Sequence, residues 1–217
     1  MIMIKIKSIG IDLDRLGKGR LLVYSPLVLI AGWSGWWRYL VLVIVALGVF
    51  EITVRKPFSV WTKIAVFQTL SLLTILSFSV SEAGWLFLTV FANDAGALYG
   101  GTYLNRFSWM RLHIFPVSPN KTLGGFLYGV LAGWLIGILL IDFLNLPSYY
   151  LWLLPAICCA ATVGDLLGSG FKRHYDLKDS GQGLFTEKWM CGHGGILDRF
   201  DSLPAVCFFW LFFKLLN

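Results

Sequence analysis

Residues 163–181 read VGDLLGSGFKRHYDLKDSG, and residues 192–202 read GHGGILDRFDS. Between Val163 and Ser202 an apolar run passes straight into closely spaced Asp, Lys, Arg, His and Gly. The rest of the 217-residue chain is mostly oil: 57% hydrophobic, 16% aromatic and 14% charged, with mean hydropathy +0.73. That balance leaves too little polar surface for a soluble globule. Dense mixed charge beside such segments is costly unless it sits at the membrane surface and serves a function there. The stretch therefore marks where a bilayer-embedded bundle ends and a site begins. The fold class expected is all-α, a polytopic membrane bundle of six or seven helices. The apolar runs lie at about 21–33, 37–54, 64–80, 83–92, 122–142, 147–167 and 203–216.

Charge placement orients this scheme. With the N-terminus in the cytoplasm, the inner segments collect Lys5, Lys7, Arg15, Lys18, Arg20, Arg55, Lys56, Lys63, Arg106, Arg111, Lys121, Lys172, Arg173, Lys178, Lys188 and Arg199. Only Arg38 and Lys214 fall outside, the asymmetry of the positive-inside rule. The loops at 93–121 and 168–200 then share the cytoplasmic face. Basic loops beside anionic headgroups account for the net charge of +6, so no nucleic-acid partner is implied. Ala31-Gly32-Trp33 makes a poor cleavage site, and no removed leader is expected. Trp33, Trp36, Trp37, Tyr39, Tyr149, Tyr150 and Trp152 are placed to form an aromatic belt. The four cysteines show no metal-binding or redox spacing.

Residues 1–20 read as a cytoplasmic lead, 21–92 as a transmembrane scaffold and 93–217 as the catalytic membrane region. Glu51 is the exception in the scaffold, and its plain reading is a snorkelling or helix-pairing carboxylate. Glycines at 125, 129, 133 and 137 line one helical face, where a partner backbone approaches closely. That partner belongs either to the same chain or to a second subunit.

Three polar clusters fall on the cytoplasmic side. Asn93-Asp94-Ala95-Gly96-Ala97 interrupts an apolar run. Ser118-Pro119-Asn120-Lys121-Thr122 places turn residues and an amine at a helix start, where an anion is held by the amine and by free backbone N–H groups. The third cluster is the opening stretch itself. Carboxylates hold hard divalent cations that in turn bind phosphate oxygens. Lys and Arg neutralise phosphates directly. The glycines of Gly192-His193-Gly194-Gly195 let backbone N–H groups approach an anion. Singly, an Asp at a helix end is most often a cap, a lone His is structural, and a Lys-Arg pair at a boundary is an anchor. Together on one face they form the parts of a metal-dependent phosphoryl- or nucleotidyl-transfer site.

These residues closely resemble the phosphatidate cytidylyltransferase (CDP-diacylglycerol synthase) family. Its C-terminal motif, approximately S-x-x-K-R-x(4)-K-D-x-G, then H-G-G-x-x-D-R-x-D, is matched by Ser169, Lys172, Arg173, Lys178, Asp179, Gly181, His193, Gly194, Gly195, Asp198, Arg199 and Asp201. Asp94-Ala95-Gly96-Ala97 resembles its D-x-G-A element, Ser118 to Thr122 its S-P-x-K-T, and Gly164-Asp165-Leu166 its G-D-L. The resemblance covers about residues 90–205. It implies transfer of CMP from CTP to phosphatidate with release of pyrophosphate, at the cytoplasmic face of the cell (inner) membrane. It further implies catalytic roles for Asp165, Lys172, Arg173, Lys178, Asp179, His193, Asp198, Arg199 and Asp201. Asp94, Ser118, Lys121, Ser169, Gly194 and Gly195 become substrate-binding residues. Asp165, Asp198 and Asp201 become ligands of Mg²⁺, with a second cation left open. The partners implied are CTP, phosphatidate or a related lipid acid, and the bilayer, with a homodimer left open. The alternatives are a CTP-dependent kinase of a polyprenol-type lipid and a non-catalytic homologue. Two departures stand out. The segment from Gln182 to Gly192 lengthens a normally short spacer, and Gly168 stands where an acidic residue often precedes the serine.

Overall fold

The computed structural model describes residues 37–54, 59–104, 107–113, 116, 118, 121–182, 184 and 195–216. The expected first span at 21–33 and the 1–20 lead lie outside them. The described residues form helices joined by turns, with an isolated antiparallel bridge between His113 and Thr122. Helix α1 is Trp37–Thr53 and α2 is Val60–Ser71, extended by a 3-10 turn over Leu72–Ser77. Helix α3 is Val80–Tyr99 and α4 is Leu123–Phe143. Helix α5 is Leu154–His174, entered through a 3-10 turn at Ser148–Leu153. A single turn, α6, spans Leu197–Phe200, and α7 is Leu203–Leu216. Among the described residues, three stretches are long and apolar enough to cross a membrane: Val60–Ser77, Leu123–Phe143 and Ser148–His174. From Val41 onward the chain forms one compact unit.

Local chemistry sets the helix starts. Ser59 caps α2 by accepting from the Thr62 amide, and Thr122 caps α4 by accepting from the Gly125 amide. At the start of α3, Ser79 and Glu82 form a reciprocal capping box, which satisfies two amide donors that a helix end leaves orphaned. The sequence pattern ends the fourth apolar run at 92, yet α3 continues to Tyr99. Neither Asn93 nor Asp94 removes a backbone donor, so neither halts a helix that packing supports.

The glycine face of α4 meets α3 of the same chain, which answers the question the spacing left open. A Cβ on Gly129 would sit 2.8 Å from the Asn93 carbonyl oxygen, and one on Gly125 would sit 2.9 Å from that of Ala97. From the other side, a Cβ on Gly96 would come within 2.8 Å of the Tyr128 carbonyl. The two backbones are in contact, and only glycine permits it. Gly137 lies instead against the Leu154 side chain at the start of α5.

The apolar core is aromatic. Tyr150, expected in the interfacial belt, is buried among Trp85 and Trp210, with ring centroids 5.3 and 4.6 Å away. Its hydroxyl has a buried acceptor in Glu82, which removes the reason to reach water. Tyr39, Tyr149 and Trp152 are exposed as a belt requires. Cys158, Cys159 and Cys207 are free thiols.

Candidate active site

The last three turns of α5 carry Gly164, Gly168 and Lys172, each about one helical turn from the next, with Asp165 beside Gly164. The segment joining α6 to α7 lies across them. A Cβ on Gly164 would stand 2.7 Å from the Asp201 carbonyl oxygen. A Cβ on Gly168 would stand 2.9 Å from the Asp201 Cβ and 3.1 Å from its Oδ2. The missing acidic side chain at 168 thus makes room for Asp201. Gln68 of α2 stitches the two segments together: its Nε2 donates to the carbonyls of Gly164 at 2.8 Å and Asp201 at 2.5 Å.

Lys172 is shared between two carboxylates. Its Nζ lies 2.7 Å from Asp198 Oδ1 and 3.9 Å from Asp201 Oδ2. The other oxygen of Asp198 accepts from the Ser180 amide at 2.7 Å and the Gly195 amide at 2.9 Å, and Ser180 Oγ, whose single proton is shared with Glu51, lies 3.0 Å away. Burial opposes ionisation of Asp198, but Lys172 and these donors outweigh it and hold the carboxyl below its usual range. Asp201 goes the other way. Burial, the nearby charge of Asp165 and those of Asp94 and Asp198 push it well above that range, and Lys172 offsets this only in part.

A second ion pair joins the cluster from the turn that precedes α4. Lys121, held in a turn by the hydrogen bond of its amide to the Ser118 carbonyl, pairs with Asp165. Asp94 of α3 lies in the field of both. The close α3–α4 packing brings Asp94 to this place. Six residues drawn from a span of more than 100 positions therefore meet: Asp94, Lys121, Asp165, Lys172, Asp198 and Asp201.

The remaining expected residues divide. Arg173 and Lys178 are exposed, and Ser169 and Asp179 are partly buried. Among the described residues no hydrogen bond or ion pair draws their side chains into the cluster. Gly195 is buried, and a Cβ there would overlap the Ser180 hydroxyl, the Gly181 amide and Glu51 Oε2. His193 and Gly194 lie outside the described residues, and Arg199 is described only as backbone of α6.

Two supporting residues were not foreseen. Gln68 carries no sequence signal, being a single amide in an apolar helix. Glu51 was visible as a lone carboxylate; it does not snorkel, and it ties α1 to the start of α6. It is 1% exposed and accepts from Ser180 Oγ at 2.9 Å, the Ile196 amide at 2.9 Å and the Leu197 amide at 3.1 Å.

Four carboxylates against two ammonium groups leave the cluster short of positive charge. Hard oxygen donors with unmatched negative charge suit a hard divalent cation. With lysines seated on their oxygens, the carboxylates form no three-residue ligand set among the described residues. Donor chemistry and charge fit a divalent cation bound together with phosphate groups, which would draw the lysines away.

Comparison with known proteins gives the same direction. The model of the cytidylyltransferase family matches residues 19–216. The phosphatidate cytidylyltransferase of Staphylococcus haemolyticus is 38% identical over 127 residues, covering 56% of this chain and 44% of that protein. The Staphylococcus saprophyticus protein of that name is 40% identical over 125 residues, 55% of this chain and 44% of its own. The one from Staphylococcus aureus is 37% identical over 127 residues, with 56% and 44% covered. The matched stretch thus spans less than half the length of these curated relatives. With nearly the whole chain matched by the family model, the protein belongs to the cytidylyltransferase family.

Proposed function

We propose that the protein is a phosphatidate cytidylyltransferase, acting in phospholipid biosynthesis. The phosphate monoester oxygen of phosphatidate attacks the α-phosphorus of CTP. The bond to the β-phosphate breaks, pyrophosphate leaves, and CDP-diacylglycerol forms. The observation that carries this reading is Lys172 held between Asp198 and Asp201, inside a cluster whose carboxylates outnumber its ammonium groups.

The monoester is ionised near neutral pH, so no strong general base is needed and His193 is free of that duty. The barrier lies in bringing two polyanions together. Lys172 and Lys121 exchange their carboxylate partners for substrate phosphates and neutralise charge where it accumulates. Exposed Arg173 and Lys178 meet CTP or the lipid headgroup, with Asp179 and Arg199 beside them. Ser118, Ser169 and the Gly194-Gly195 backbone supply hydrogen bonds, and Asp94 helps place the nucleotide. Asp165, Asp198 and Asp201 are the residues to hold Mg²⁺, with or without a second cation. When bound, Mg²⁺ neutralises phosphate oxygens.

In this reading the N-terminus is cytoplasmic, six or seven helices cross a bacterial inner membrane, and the cluster faces the cytoplasm. Residues 93–217 carry the chemistry, 21–92 brace it, and 1–20 form a lead. A homodimer belongs to the same proposal. The test uses purified protein with Mg²⁺, phosphatidate and CTP labelled at either the α- or the γ-phosphate. Label from the α position is expected in the lipid and label from the γ position in pyrophosphate. Lipid labelled from the γ position would establish kinase chemistry instead, and no labelled lipid from either would end the enzyme reading.

A further inference from the structure

We infer that Glu51, on the first described helix, is a positioning residue for Asp198. The inference rests on the transferase reading above. Burying a carboxylate is costly unless donors replace its water. Here the three donors are Ser180 Oγ, the Ile196 amide and the Leu197 amide, 129 to 146 positions away in sequence. What stabilises Glu51 therefore also fixes where Ser180 and the Ile196–Leu197 backbone sit. Ser180 passes the constraint on. Its hydroxyl lies 2.9 Å from Glu51 Oε2 and 3.0 Å from Asp198 Oδ2, and its amide donates to the same Asp198 oxygen at 2.7 Å. The opposite oxygen of Asp198 meets Lys172 at 2.7 Å. A continuous path, Glu51 to Ser180 to Asp198 to Lys172, runs from α1 into the site. Gly195 completes it, since any side chain there would overlap both Glu51 and Ser180.

The path makes the orientation of one Asp198 oxygen depend on a side chain that touches neither substrate nor cation. Three variants of the full chain in detergent test this: Glu51→Leu, Glu51→Gln and Ser180→Ala. Loss of an outer hydrogen-bond partner of this kind typically costs about 10- to 100-fold in activity. Glu51→Leu is expected to lower kcat about 100-fold while KM for CTP changes less than about threefold. Glu51→Gln, which keeps one acceptor oxygen, is expected to recover part of kcat. Ser180→Ala adds no buried charge and is expected to lower kcat about tenfold at unchanged Tm. Hydrogen exchange supplies a readout independent of turnover: the amides of residues 195–198 should exchange at least about tenfold faster in Glu51→Leu, and those of α4 should not. Wild-type exchange at 195–198 in Glu51→Leu overturns the inference, as does wild-type kcat in Ser180→Ala. A kcat loss that tracks Tm across all three variants overturns it too. If the wild-type protein transfers no label, the transferase reading fails, while the exchange result still decides whether Glu51 holds this region.

Discussion

Two polar clusters occupy opposite ends of the same helices, and they are built on different principles. At one end Glu82, near the start of α3, accepts from Tyr150 at 2.9 Å and pairs with Lys214 near the end of α7 at 2.8 Å. Its capping box also takes the Ser79 amide. One carboxylate meets one ammonium, a hydroxyl and an amide, so the charges cancel and the donors are used. At the other end Asp94 lies late in α3, Asp165 and Lys172 late in α5, and Asp201 just before α7. There four carboxylates meet two ammonium groups, and Asp201 is raised by burial and by its neighbours. The balanced cluster fastens helices. The unbalanced one carries an excess of carboxylates, which suits a site for cations and phosphates.

Substitutions separate the two. The largest effect is expected for Lys172→Met. Removing one preorganised charge partner costs about 100- to 1000-fold in kcat, measured as lipid-linked cytidine per minute, with the helical circular-dichroism signal retained. Next comes Glu82→Gln at the balanced end. It leaves Lys214 and the Tyr150 hydroxyl poorly matched and should lower unfolding stability by about 2 kcal/mol. The figure is moderated because the Lys214 side chain is 38% exposed. Here kcat per folded molecule should stay within about twofold, and a large kcat loss would erase the distinction between the ends. Gly129→Val links them by pressing α4 off the Asn93 carbonyl. Overpacking of this kind costs about 1 to 3 kcal/mol, and by shifting Asp94 and Lys121 it should also reduce turnover.

The smallest effect is a pH dependence. A carboxyl raised in the folded state favours folding while it is protonated, and that contribution is lost as pH rises from the unfolded value of about 4 through the folded one. Asp201→Asn removes the loss, so its stability advantage over wild type should widen with pH above about 4. Asp198, held low, contributes stability that is lost as pH falls through its folded value, so Asp198→Asn should show the opposite trend. Thermal melts of the three proteins across pH check both signs.

Much of this arrangement is legible in the sequence. Hydropathy locates the runs that become α2, α4 and α5. Glycines spaced by four announce the close face of α4, and the motif residues Lys172, Asp198 and Asp201 do meet. What escapes is pairing across long separations. Nothing local to Glu51 says that it reaches a region 129 to 146 residues on, or that Gln68 spans to Asp201. A single polar residue in an apolar helix has no periodicity that names its partner. Tyr150 shows the same limit, because its burial depends on an acceptor supplied by α3.

The central claim is that the unbalanced cluster is the reacting site while the bundle stands without its charge. It is tested most directly by Asp198→Asn, assayed for lipid labelling from CTP labelled at the α-phosphate and for Tm on the same preparation. The account predicts loss of nearly all labelling, with a fall in Tm that leaves the protein folded at the assay temperature. Full labelling by Asp198→Asn, or an activity loss explained entirely by unfolding, would contradict it.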